Sequence, residues 1–67
     1  MMTGYRLTRI LGNRLRVETY QGKPVAMYDP VAGKEYRWQD NRWQKSPIQA
    51  KDKAEFGRRY GFRFMFL

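Results

Sequence analysis

Residues 35–45 read Glu35-Tyr36-Arg37-Trp38-Gln39-Asp40-Asn41-Arg42-Trp43-Gln44-Lys45. Two short runs in which aromatic and polar residues alternate flank Asp40-Asn41. Both turn residues tolerate the positive φ that a tight hairpin demands, though less well than glycine. The stretch therefore predicts two antiparallel strands, Glu35–Gln39 and Arg42–Lys45, with Trp38 directly across from Trp43. Cross-strand aromatic pairs of this kind contribute about 0.2–1 kcal/mol relative to alanine pairs. Period two places Tyr36 on the same face, which suits either a hairpin clasp within the core or a stacking platform.

Upstream, turn signals recur at short intervals, the mark of a β-meander. Asp29-Pro30-Val31-Ala32-Gly33 is a loop in which Pro30 presets φ and Gly33 supplies a left-handed position. A short strand, Val25–Tyr28, precedes it and starts after Pro24, where a missing N–H is tolerated. Gln21-Gly22-Lys23 reads as a three-residue turn that sets Thr19 against Val25 and Val17 against Met27. The first hairpin joins Tyr5–Leu11 to Arg14–Tyr20 across Gly12-Asn13. A two-residue turn there pairs Ile10 with Leu15, Thr8 with Val17 and Arg6 with Thr19. The other face then carries Leu11 with Arg14, Arg9 with Arg16, Leu7 with Glu18 and Tyr5 with Tyr20.

Downstream the period changes. Ser46 can cap a helix, Pro47 fits its first position and Gln49 completes a capping-box pattern. The helix is expected from Pro47 to about Arg59, with Ile48, Phe56 and Tyr60 on one face, and Gly61 is a natural stop. The tail, Phe62–Leu67, alternates phenylalanines and reads as a final strand, apolar on nearly both faces. The expected fold is one α+β domain spanning residues 1–67: an antiparallel meander of five strands, one C-terminal helix and a last Phe-rich strand. A small SH3-like or OB-like barrel is the alternative.

Composition bounds the function. With 67 residues, 42% hydrophobic and 16% aromatic, the chain can build a small core around its rings. Neither cysteine nor histidine occurs. Disulfide staples, ordinary zinc sites, cysteine nucleophiles and histidine bases are thereby excluded. Ser46 looks like a cap, no glycine-rich phosphate loop is present, and the six carboxylates read as surface groups or local ion-pair partners. The expectation is a non-enzymatic protein without a cofactor. Met1–Leu11 is broken by Thr3, Gly4, Arg6, Thr8 and Arg9, so no signal-peptide core is expected there, and no stretch has the length of a membrane span. A cytoplasmic location follows as the default.

Fourteen Lys and Arg against six Asp and Glu give a net charge of +8. Such an excess attracts polyanions. The paired first sheet would gather Arg9, Arg14 and Arg16 with Tyr5, Tyr20 and Tyr28. Rings interleaved with guanidinium groups suit single-stranded nucleic acid, since bases stack on rings while arginines hold phosphates. A phosphate between Arg9 and Arg16 would also relieve the repulsion of opposed like charges. The bland reading buries those tyrosines under the helix, with arginines snorkelling past them. On the helix, Lys51, Arg58 and Arg59 are further phosphate candidates, although the last two also suit the helix dipole. The leading expectation is sequence-tolerant binding of DNA or RNA. The competing one is a small regulator or inhibitor that docks an acidic protein or adds a strand to it. A homodimer seam through Phe62–Leu67 is a further possibility for the apolar tail.

Overall fold

The computed structural model describes residues 4–62. Five strands, β1 (Tyr5–Ile10), β2 (Arg14–Thr19), β3 (Pro24–Asp29), β4 (Lys34–Gln39) and β5 (Arg42–Lys45), are followed by one helix, α1 (Lys53–Arg59). They form a single antiparallel sheet in the order β1-β2-β3-β4-β5, as the turn signals predict. The C-terminal strand expected over Phe62–Leu67, and the dimer seam built on it, lie outside the described residues apart from Phe62.

The second hairpin matches its reading. Asp40 and Asn41 both adopt positive φ (56° and 59°), and Trp38 pairs with Trp43. The two indoles meet edge to face, with centroids 5.3 Å apart.

The first hairpin is paired one residue away from expectation. Ile10 opposes Arg14, so the turn is the three-residue Leu11–Asn13, with Gly12 and Asn13 at positive φ. Arg9 therefore faces Leu15 and not Arg16, Leu7 faces Val17 and not Glu18, and Tyr5 faces Thr19 and not Tyr20. A one-residue slip turns every side chain of a strand over. Here it brings Tyr5 and Leu7 against the core and sets Arg6 across from Glu18. The expected register would have turned Arg6 inward and left Leu7 beside a carboxylate, so burial and charge pairing both favour the observed one.

Between β2 and β3 the register also departs from expectation. Val17 opposes Ala26, Glu18 opposes Pro24, and a bulge lies between these pairs. Ala26 and Tyr28 are buried, and Val25 packs against the core as predicted, whereas Met27 lies on the opposite face. The run Val25-Ala26-Met27-Tyr28 is apolar at every position, so alternation alone does not choose its inner face. Tyr28 chooses it by stacking on Phe56 of α1 at 5.6 Å.

The helix starts six residues later than the Ser46–Pro47 signal suggests. Ser46 is buried, and its Oγ accepts the Ile48 amide at 3.2 Å, a local turn that competes with helix. Gln49 is not a capping-box residue. Its side-chain amide acts as a surrogate strand beside β4: Oε1 accepts the Glu35 amide at 2.8 Å, and Nε2 donates to the carbonyls of Glu35 and Ser46. Ile48 is exposed and takes no part in a helix face. Asp52 is the true N-cap, its Oδ1 accepting the Glu55 amide at 2.9 Å. The predicted stop is present. Gly61 has φ 93°, its amide donates to Arg58, and the Phe62 amide donates to Gly57, the paired bonds of a Schellman end.

The core, Leu15, Val17, Ala26, Tyr28, Ala50 and Phe56, lies between one face of the sheet and the segment running from Ser46 through α1. Glu35 is also buried there, contrary to its reading as a surface acid. Its carboxylate accepts Arg59 Nη1 at 2.5 Å on both oxygens and the Ala50 amide at 3.0 Å. The Arg59 side chain is under one-third exposed, and the hydrogen bonds to Glu35 push its already high pKa further up.

Candidate nucleic-acid interface

Strand alternation leaves a second sheet face on which, among the described residues, no helix packs. Register assigns its members. One row crosses all five strands, Thr8-Arg16-Met27-Tyr36-Lys45, and the Trp38–Trp43 pair flanks it. A further row holds Ile10 with Arg14 and Asp29 with Lys34. Met27, Tyr36, Trp38 and Trp43 are half-buried. Three indole and phenol rings thus share a surface with Arg6, Arg14, Arg16, Lys34 and Lys45.

Two carboxylates on this face order the arginines. Glu18, itself buried, accepts Arg6 Nε at 3.0 Å and Nη2 at 2.6 Å, and lies 3.1 Å from Arg16 Nε. That last contact is an ion pair without hydrogen-bond alignment, since Arg16 Nε has no hydrogen-bond partner. Asp29 lies 3.4 Å from Arg14 Nε. Its other oxygen accepts the amides of Val31 and Ala32, and these bonds, with Arg14, hold its pKa below the usual aspartate value. Three arginines share two acids here, while Lys34 and Lys45 form no ion pair among the described residues.

The arginine–tyrosine cluster read from the sequence is not assembled. Tyr28 is buried beneath α1, and burial raises its pKa. Tyr5 packs edge-on to Tyr60 at 5.7 Å on that same helix-covered side. Tyr20 is half exposed beyond the end of β2. Arg9 is exposed on the helix side, away from Arg14 and Arg16, so no opposed arginine pair awaits a phosphate. Lys51 and Arg58 are exposed, and Arg59 is committed to Glu35. Of the nine residues singled out, only Arg14 and Arg16 lie on the open face.

Met27, Tyr36, Lys34 and Lys45 were missed as members of one surface. The signal was present: alternation from the Trp38–Trp43 pair already ties Tyr36 and Lys45 to it. The slipped registers of the first two hairpins kept Arg16 and Met27 from joining them. Among the described residues, no group of three or more acids could hold a metal ion, and no helix is long and apolar enough to cross a membrane. The chain matches no protein-family model, no curated protein and no solved structure.

Proposed function

We propose that this protein is a non-catalytic, sequence-tolerant binder of single-stranded nucleic acid, and that the open sheet face is its binding surface. The observation that carries the reading is the row Arg16-Met27-Tyr36-Lys45 beside Trp38 and Trp43. Rings offer stacking to any base, and cations at the ends of the row meet phosphates on either side. The +8 charge supplies long-range attraction. Glu18 and Asp29 fit the same role, because they hold Arg6, Arg14 and Arg16 in place ahead of binding. A duplex offers its bases only at their edges, so single strands are the better partner for rings lying on a sheet.

Titration of fluorescently labelled DNA and RNA oligonucleotides tests the proposal. Binding is expected to weaken with salt, with a log–log slope of magnitude about two to three for several phosphate contacts. Loss of either indole, in Trp38→Ala or Trp43→Ala, is expected to cost about 1–3 kcal/mol of affinity. Absence of binding at low salt overturns the proposal. Nuclease-resistant capture of one acidic protein would instead favour a protein-docking regulator.

A further inference from the structure

In a five-strand meander alternate turns lie at the same end of the sheet. The β1–β2 turn at Leu11–Asn13 and the β3–β4 loop after Asp29 therefore share one end, while the Asp40-Asn41 turn and the Trp pair lie toward the other. At the first end, Leu11 is 92% exposed and Val31 is 86% exposed. These are the two most exposed large apolar side chains among the described residues. The loops that carry them are neighbours: Asn13 and Val31, with Arg9, Leu15, Pro30 and Lys53, line one cleft of about 350 Å³. Arg14 and Lys34 begin the strands that leave these loops. The acid of the second loop, Asp29, is turned onto the Val31 and Ala32 amides and onto Arg14.

We infer that this end of the molecule is a docking surface for an anionic lipid bilayer, with Leu11 and Val31 as its inserting tips. The chemistry matches on both counts. Two apolar side chains project from separate turns, and basic residues line the neighbouring cleft and begin the strands behind them. A leaflet rich in anionic headgroups offers negative charge at its surface and hydrocarbon just beneath, so it satisfies tips and cations together. A purely apolar groove on a protein partner does not, because the cleft beside Val31 carries Arg9 and Lys53 as well as Leu15 and Pro30. This surface shares Arg14 and Lys34 with the open sheet face but none of its rings, and Leu11 and Val31 play no part in the nucleic-acid reading, so failure of nucleic-acid binding leaves the inserting tips untouched.

The test is sedimentation of the full chain with phosphatidylcholine vesicles and with vesicles containing about a third phosphatidylserine. The protein is expected to pellet with the anionic vesicles only, and less as salt rises. Leu11→Ser/Val31→Ser keeps the net charge and is expected to lower vesicle affinity at least about tenfold, because two side chains lose their burial in hydrocarbon. Both positions are solvent-facing, so unchanged thermal unfolding of this variant confirms that the fold is intact. Tryptophan emission is expected to stay constant with vesicles and to change with oligonucleotides, since the indoles lie toward the opposite end. Equal pelleting of variant and wild type, no pelleting with anionic vesicles at low salt, or a dimer in solution that the double substitution abolishes overturns the inference.

Discussion

Arg59 Nη1 donates to both carboxylate oxygens of Glu35, tying the last turn of α1 to β4 across 24 positions of sequence. The same carboxylate accepts the Ala50 amide, so one buried group holds the sheet, the connecting segment and the helix together. Taking one partner from a buried pair strands the other charge in low dielectric, at a cost of about 3–5 kcal/mol. Arg59→Ala, which leaves Glu35 buried, is expected to lose that much in urea unfolding, and Glu35→Ala, which leaves Arg59 partly in water beside Glu55, is expected to lose less. The double variant should lose less than their sum, with a coupling of about 1–3 kcal/mol. Single losses below about 0.5 kcal/mol would show that the pair contributes little.

Gln49 gives a second, local prediction. Gln49→Ala removes three hydrogen bonds and leaves the Glu35 amide without its side-chain acceptor. The expected loss is about 2–3 kcal/mol, given roughly 1 kcal/mol for each bond. Hydrogen exchange at the Glu35 amide should accelerate more than at Tyr28 or Ala26. Uniform acceleration across the sheet would mean that the side chain acts only through global stability.

At low pH the β3–β4 loop should loosen. The Asp29 pKa lies below its unfolded value, chiefly through the Ala32 amide, with help from Val31 and Arg14. A depressed carboxylate pKa contributes stability present above the unfolded pKa and lost as pH falls through the folded one. Amide chemical shifts of Val31 and Ala32 should therefore move together below about pH 4, where model aspartates titrate. Asp29→Asn should remove the transition.

Alkali acts on the other side of the sheet. Burial raises the pKa of Tyr28, with Asp52 and Glu35 adding to it, and burial likewise raises Tyr60. A raised phenol pKa means that the folded state holds its proton longer. The stability it contributes is complete below the unfolded value of about 10 and is lost as pH rises through the folded one. Ultraviolet titration should show Tyr28 ionising only as the protein unfolds. Ionisation of Tyr28 in the native state at the ordinary phenol value of about 10 would contradict its placement under Phe56.

The parts of the fold that were legible in sequence are those fixed by local chemistry. Asp40-Asn41 and the alternation around it specify a hairpin with its Trp pair, and Gly61 specifies a helix end. What failed depended on distant partners. Whether Gly12-Asn13 closes a two- or three-residue turn is decided by Arg6 reaching Glu18 and by Tyr5 reaching Tyr60. Ser46-Pro47 carries a true capping pattern, yet Gln49 and Ala50 gain more from Glu35 than from a helical turn. The candidate site inherited these errors, since a slip of one residue moved Arg9 off the face that keeps Arg14 and Arg16.

The bulge between Val17 and Glu18 isolates the turn at its end from the strands behind it. Because β3 holds one extra residue at Val25, the hydrogen-bonded corner from Thr19 to Lys23 closes in its own register. Loss of that residue would restore regular pairing beyond Val17 without moving Ala26 or Tyr28. A change in chain length, which elsewhere in this sheet would invert a whole strand, can be absorbed at this corner, so it is the natural place for length variation or a grafted peptide.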